Sequence, residues 1–245
     1  MSSNTPRQPV RDLRFFLTVP HACSYLEDRE ATTLFLDPQE VPGQGVYDAL
    51  ALLGFRRSGR HLYRPHCEGC SACISVRIPV ADFTPNRNQR RLTRRNQDLD
   101  LRIRPAIFDK EHYRLYSGYI RERHADGDMH PPSHEQYRTF LTLDQPYARL
   151  MAFRLGDRLV SVTAFDQLDH GLSAIYTFFD TAADLDRRSL GTFAILSLVA
   201  RAKSLGLPHV YLGYWIRECR KMRYKQDFQP LEMLDGRHWR RVLPL

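Results

Sequence analysis

An α+β fold is predicted by two strand patterns that bracket a helix in the last third of the chain, and by further strand–helix alternation upstream. Ile175, Tyr176, Thr177, Phe178 and Phe179 form a β-branched and aromatic run, suited to a pleated and largely buried strand over 172–179. Val210, Tyr211, Leu212, Tyr214, Trp215 and Ile216 form a second such run over 209–216. Between them, Leu190, Phe193, Ala194, Ile195, Leu196, Leu198 and Val199 are apolar around most of a helical wheel. That pattern predicts a helix over 190–205 packed on more than one side. Ser189 stands where it would cap the start, and Lys203 and Gly206 where the helix would end. Two strands joined by a helical crossover should be parallel, with ligands beyond their carboxyl ends beside the start of the helix. Free N–H groups and the helix dipole favour a phosphate there, and Arg187 and Arg188 add full charges.

Upstream, 46–54 carries Tyr47, Leu50, Ala51 and Leu53 at helical spacing within an otherwise loop-rich first third. Ser58-Gly59-Arg60 predicts a turn between strands at 55–57 and 61–64, and 74–80 alternates as a strand. Thr84-Pro85 reads as a helix start, the hydroxyl as N-cap. The helix behind it, 86–97, carries Arg87, Arg90, Arg91, Arg94 and Arg95 with Leu92 as its one apolar residue, so it builds no core and faces phosphates or water. It marks the expected seam between an N-terminal module, 1–98, and a C-terminal domain, 99–245. Beyond it follow a strand from Leu99, helices over 111–124 and 133–143 (the second capped by Ser133 with Gln136), and a hairpin of 149–155 with 159–166 about Gly156-Asp157. The loop 125–132, with Asp126, Asp128 and His130, matches no calcium spacing and reads as a turn.

A chain of 245 residues can bury an ample core. Lys and Arg exceed Asp and Glu by eight, which favours an anionic partner. Residues 1–20 hold only Phe15-Phe16-Leu17 as an apolar run, so neither a secretory signal nor a membrane span is expected. Five cysteines, an odd number, do not suggest a disulfide framework, and a reduced, cytoplasmic protein is the expectation. Cys67, Cys70 and Cys73 at steps of three in a glycine-containing loop can converge on zinc or an iron–sulfur cluster, with Cys23, His21 or His66 as the fourth ligand.

Arg188-Ser189-Leu190-Gly191 is similar to the phosphate turn of GNAT-like acyltransferases, whose order of elements the C-terminal region also follows. Longer strings resemble one family over most of the chain. Cys23-Ser24-Tyr25-Leu26, Gly54-Phe55-Arg56-Arg57-Ser58-Gly59 and the Tyr63 to Cys73 string resemble the N-terminal module of aminoacyl-tRNA–protein transferases. Arg123 to Pro132, Ala174 to Asp180, Arg187 to Gly191 and Gly213 to Lys225 resemble their C-terminal module. The resemblance is to the short bacterial branch that transfers leucine to N-terminal Asp or Glu. It implies a small Cys-containing module packed on a GNAT-like domain, leucyl-tRNA as donor, and a protein beginning with Asp or Glu as acceptor. The longer eukaryotic branch carries a paired Cys-x-x-Cys where this chain has Cys23 and Leu26, so one thiol of a cluster-binding set is missing.

Aminolysis of an activated ester is already downhill, and alignment is the main requirement; no cofactor is required for it. Asp180, at the end of the first strand, and Tyr176 are the candidate catalytic groups. Arg187, Arg188, Gly191, Arg90, Arg91 and Arg94 are candidates for tRNA phosphates, and Tyr214, Trp215 and Tyr224 for stacking on its unpaired 3′ end. An acidic acceptor side chain asks for an arginine fork or a lysine, for which Arg77, Arg220, Lys221, Arg223 and Lys225 are candidates. Three rivals remain: an acetyl-CoA-dependent N-acetyltransferase, a non-catalytic RNA-binding module, and a transferase of the same class with another pairing, arginine as donor or a Lys- or Arg-initiated protein as acceptor.

Overall fold

The computed structural model describes residues 13–40, 42–127 and 129–242. Most of the stretch read for a secretory signal, and Asp128 of the loop read as a turn, lie outside the described residues. The elements in chain order are β1 (Phe15–Leu17), β2 (His21–Ala22), β3 (Glu30–Ala31), β4 (Thr33–Leu36), α1 (Gln44–Leu52), β5 (Arg56–Ser58), β6 (His61–Pro65), β7 (Ile74–Pro79), α2 (Arg87–Arg95) and β8 (Asp100–Pro105). There follow α3 (Lys110–Arg123), α4 (His134–Leu141), β9 (Ala148–Leu155), β10 (Arg158–Leu168), β11 (Gly171–Phe179), a 3₁₀ turn (Ala183–Arg188), α5 (Leu190–Ser204), β12 (His209–Trp215), α6 (Arg220–Arg223), a 3₁₀ turn (Tyr224–Asp227), β13 (Leu231–Asp235) and β14 (His238–Val242). No described helix is long and apolar enough to cross a membrane.

The α+β class is observed, built on an eight-stranded sheet ordered β14-β13-β7-β12-β11-β10-β9-β8. Strand alternation divides its side chains between two cores. On β9, Met151 and Phe153 join Leu190, Ala194, Leu198 and Val199 of α5, while Leu150 and Ala152 join Tyr47 of α1, Ile120 of α3 and Tyr137 of α4. Helices therefore cover both faces, and the sheet is the middle of three layers. The apolar girth of α5 is explained by two neighbours, the sheet beneath it and α2 beside it, where Leu92 enters the same core. Burying those side chains is the main favourable term holding the crossover in place.

The structure changes several local expectations. The first third is not mainly loop: β1, β4, β6 and β5 form a second, four-stranded sheet. The expected seam at residue 98 does not separate the sheets, because β7 lies between β12 and β13, with Val76 opposite both Gly213 and Met233. The cap of α2 is Asn86 rather than Thr84: its side chain accepts from Gln89 N at 2.9 Å and Gln89 returns the bond to Asn86 N at 2.9 Å, a capping box. Ser189 does not cap α5 with its hydroxyl; it sits in the left-handed region at φ 44°. Ser133 caps α4, accepting from Gln136 N at 3.0 Å.

Candidate active site

β11 and β12 run parallel and pair at Leu172 with Val210 and Ser173 with Tyr211, and then part. Each strand carries an irregularity at that point. On β11, Ile175 is the extra residue between Ala174, opposite Phe165, and Tyr176, opposite Ala164. On β12, Leu212 is extra between Tyr211, opposite Arg77, and Gly213, opposite Val76. Bulges bend strands and free backbone groups from the ladder, and here they open a wedge at the carboxyl ends of the parallel pair. Gly213 adopts φ 79°, a conformation that favours glycine, and Arg56 of β5 lies against it, with Nε 3.4 Å from where a Cβ would stand.

The start of α5 lies beside the wedge and between two clefts. One, of about 630 Å³, is walled by Arg91 and Arg95 of α2, Ser189 and Thr192 of α5, and Tyr224. The other, of about 290 Å³, is lined by Arg123, Phe179, Leu185 and Gly191, and shares Ser189 and Thr192 with the first. The first turn of α5 thus presents unpaired backbone N–H groups between two openings, with guanidinium groups nearby.

The candidate phosphate ligands divide into free and committed groups. Arg91 and Arg94 of α2 and Arg187 are exposed, and none has a side-chain partner among the described residues. Arg90 is exposed and donates to Pro85 O, while Arg95 donates to Arg187 O. Arg188 is a correction: its guanidinium holds Asp98 bidentately at 2.8 and 2.8 Å and donates to Arg95 O at 3.2 Å. It ties the α5 turn to α2 instead of standing open to a phosphate. The hydrogen bond from Arg188 holds the Asp98 carboxyl below the usual range. Gly191 sits in the first turn of α5 with Phe179 Cε1 3.6 Å from where its Cβ would be.

Asp180 is also corrected. One carboxylate oxygen accepts from Arg158 Nε and Nη2 at 2.9 and 2.7 Å, and the other from Ala182 N at 3.0 Å. Both carboxylate oxygens are thus engaged by neighbours of the fold, and the side chain braces the Arg158 and Ala182 turn instead of standing open to a substrate amine. Tyr176 lies beside Phe140, with ring centroids 5.3 Å apart, and its hydroxyl is buried without a partner among the described residues. Burial pushes its pKa far above the ordinary phenol value, with Tyr119 and Tyr116 adding to the rise, so it keeps its proton at neutral pH.

Of the stacking candidates, only Tyr224 is open, at 44% exposed. Tyr214 is buried and donates to Gly54 O at 3.0 Å and Tyr63 O at 3.2 Å. Trp215 is buried in the α5 core. A central strand covered on both faces buries side chains of both parities, which removes these two from the solvent. Arg77 is committed too: it pairs with Glu232 at 2.7 Å and lies 4.3 Å from the Trp239 ring centroid, joining β7 to β13 and β14. Arg220, Lys221 and Arg223 are exposed on α6. α6 lies near the end of α3: burial lowers the His124 pKa, and the Lys221 charge lowers it further. Lys225 is buried, donating through Nζ to Tyr214 O and to Met222 Sδ at 3.3 Å. Sequence reasoning missed Arg56, whose guanidinium donates to Ala174 O inside the wedge. Its only signal was the Arg56-Arg57 pair at the hairpin, where Arg57 and Arg56 look alike.

The cysteine expectation does not fit as drawn. Cys23, Cys67, Cys70, Cys73 and Cys219 are partly buried free thiols. Burial pushes the Cys73 thiol up to about 12, and Cys23, Cys67, Cys70 and Cys219 add to the rise, so the five are neighbours. Among the described residues, however, no group of three or more His, Cys, Asp or Glu side chains is arranged to hold a metal ion. The Cys67 thiol instead points to Thr32 O at 3.6 Å.

A family model described as arginine-tRNA-protein transferase, C terminus, matches residues 111–235, and its N-terminal counterpart matches residues 21–91. An aspartate/glutamate leucyltransferase of Chromohalobacter salexigens is 76% identical over all of this chain and 99% of its own length. One of Marinobacter nauticus is 55% identical over 95% of this chain and 98% of its own, and one of Pseudomonas aeruginosa PAO1 is 53% identical over 93% and 96%. Among solved structures, L-PGS from Bacillus licheniformis aligns with 84% of this chain and 72% of its own at 12% identity and TM-score 0.43, a distant likeness. With both halves matched and relatives alike along their whole length, the chain belongs to the arginine-tRNA-protein transferase family.

Proposed function

We propose that this aminoacyltransferase moves leucine from leucyl-tRNA to the α-amine of proteins that begin with Asp or Glu, marking them for degradation through the N-degron pathway. The donor and acceptor follow the names of relatives up to 76% identical along the chain. The observation that carries the reading is the meeting, at the start of α5, of a strand wedge, an arginine-rich helix and an open tyrosine. In this reading, residues 99–245 supply a GNAT-like transferase layer that residues 1–98 complete.

Phosphates of the tRNA acceptor end lie along Arg87, Arg91 and Arg94 of α2 and on the first turn of α5 beside Arg187, and Tyr224 stacks on an unpaired 3′ base. The ester carbonyl enters the wedge, where backbone N–H groups left unpaired as β11 and β12 part hold the charge that develops on its oxygen. The acceptor nitrogen attacks the carbonyl carbon, a C–N bond forms, and the C–O bond to the terminal ribose breaks. One amine proton is lost and the ribose oxygen gains one, so the products are an amide and a free hydroxyl. An α-amine has a reference pKa of roughly 8, so a useful share is unprotonated at neutral pH and a strong base is not needed. Tyr176, protonated at neutral pH, is the candidate hydrogen-bond donor to the departing ribose oxygen.

The test is transfer of labelled leucine from purified leucyl-tRNA to a peptide beginning with Asp. Mass spectrometry should show one leucyl residue added at the peptide amine, with little product from arginyl-tRNA or from a Lys-initiated peptide. Arginine added in place of leucine would move the protein to the other donor class, and RNA-independent acetylation would replace the reading altogether.

A further inference from the structure

Four cationic side chains are buried among the described residues: Arg56, Arg57, Arg77 and Lys225. Two are neutralised. Arg57 holds Asp166 at 2.7 Å, and Arg77 holds Glu232 at 2.7 Å. Arg56 and Lys225 have no carboxylate partner among the described residues; each donates to a strand carbonyl instead. Both carbonyls lie where β11 and β12 part. Ala174 is the first residue beyond the paired Ser173 on β11, and Tyr214 lies beyond the paired Tyr211 on β12. The two cations therefore occupy one wedge, 8% and 5% exposed, and the Arg56 charge adds to burial in lowering the Lys225 pKa.

Buried charge without a counter-ion is costly, and two like charges in reach of each other cost more. A carbonyl offers each only a dipole. A fold that keeps both in the wedge where the ester would sit is arranged for an anion that arrives with the substrate. We propose that Arg56 and Lys225 form the pocket that takes the side-chain carboxylate of the acceptor's N-terminal Asp or Glu, an inference that rests on the transferase reading above. A planar guanidinium fork beside an ammonium point charge matches a carboxylate in shape and sign. In Asp and Glu only a few bonds separate that carboxylate from the α-amine, so anchoring one delivers the other to the parting strands. Tyr224, which walls the cleft beside α2, is within electrostatic reach of Arg56. This residue is 44% exposed overall, but its hydroxyl end is enclosed: burial raises the phenol to about 12, Tyr119 adds to the rise and Arg56 opposes it. An arriving carboxylate would restore the charge on Lys225, which burial and Arg56 hold down to about 7 while Cys219 and Cys73 act in the other direction.

The test uses the full chain, leucyl-tRNA and two peptides that differ only in beginning with Asp or Asn. The wild-type enzyme should favour Asp by about 100-fold or more in kcat/KM, the discrimination expected of a site built for a charged group. Arg56→Gln and Lys225→Met should each cut that ratio to about 10-fold or less, through KM for the Asp peptide, with the Asn peptide little changed. If both peptides slow together and the ratio holds, the two cations are structural pegs and the pocket is refuted. A second measurement needs no variant. Calorimetric titration of the wild type with Asp- and Asn-initiated dipeptides near pH 8, in buffers of different ionisation enthalpy, should show tighter binding of the Asp form. Its binding should take up as much as about one more proton than that of the Asn form. Equal affinity or equal proton uptake overturns the proposal. An enzyme that leucylates neither peptide fails the activity reading, and the dipeptide titration still judges the pocket.

Discussion

Replacing Arg87, Arg91 and Arg94 together by glutamine isolates the electrostatic share of tRNA binding. Of the five arginines on α2, Arg90 is drawn to Pro85 O and Arg95 to Arg187 O, which leaves these three without side-chain partners among the described residues. Gln has nearly the helix propensity of Arg, and the Asn86–Gln89 capping box is untouched, so the helix should persist. Each phosphate contact contributes roughly 0.7–0.9 to the slope of log K against log salt, so three lost contacts should flatten it by about 2–3. Between about 0.05 and 0.2 M KCl, the wild-type protein should then lose roughly 20- to 40-fold more affinity than the variant. Filter binding of leucyl-tRNA across that salt range measures it, with circular dichroism to verify the helix and Arg237→Gln, on the β13–β14 turn, as the control. An unchanged slope, or an equal loss from the control, would remove α2 from the RNA path.

Gly171→Ala should destabilise the fold by about 3 kcal/mol or more, read by urea unfolding, because φ there is 153° and the new Cβ would lie 2.3 Å from His209 O. Lys225→Met should stabilise the protein most at low pH. The Lys225 pKa is lowered from 10.5 to about 7 by burial, so between those values the unfolded chain binds more protons and wild-type stability rises with pH; below about 7 the cost of the buried charge is fully present. The variant's advantage should therefore be a few kcal/mol at pH 6, at about 1.4 kcal/mol per pKa unit, and should shrink by pH 9.5; a constant gap would refute the burial argument. Tyr214→Phe should cost about 1–2 kcal/mol of stability through its lost bonds to Gly54 O and Tyr63 O while leaving tRNA affinity within twofold, an order-of-magnitude expectation from hydrogen-bond deletion. Tyr224→Ala should do the reverse and weaken tRNA binding by about 1–3 kcal/mol, and an exchange of the two outcomes would return Tyr214 to the stacking platform.

How much was legible follows the length and regularity of each signal. β11, α5 and β12 were readable because each is a long run with one period, and their parallel pairing follows from the crossover. β1 to β4 hold only two to four residues each and several are exposed, so no alternation rises above a loop background. The α2 cap was within reach: Asn86 and Gln89 have the capping-box spacing, and Thr84-Pro85 masked it. Site residues were harder for a different reason. Arg187 and Arg188 are equivalent in sequence, and what separates them is Asp98, reached by a fold in space rather than by spacing. Arg77, Asp180 and Tyr214 likewise lost their expected roles to partners at Glu232, Arg158 and Gly54, none of which a local pattern names. Arg56 went unread because nothing beside it in the chain marks it out from Arg57.

That last case shows how the two parts of the chain depend on each other. β7 contributes an interior strand to the main sheet, closing the side of β12 that would otherwise be an open edge. Tyr214 of β12 then reaches across to Gly54 and Tyr63, which fixes the hairpin of β5 and β6 against the wedge. Arg57, anchored in the core on Asp166, holds β5 from the other face, so its neighbour Arg56 is turned toward Ala174 and Gly213. The strand gap is common to the crossover topology, but its charge is not: one cation comes from residue 56 and the other from residue 225. The main sheet draws a strand from the N-terminal part, and the charge inside its wedge is likewise set by both.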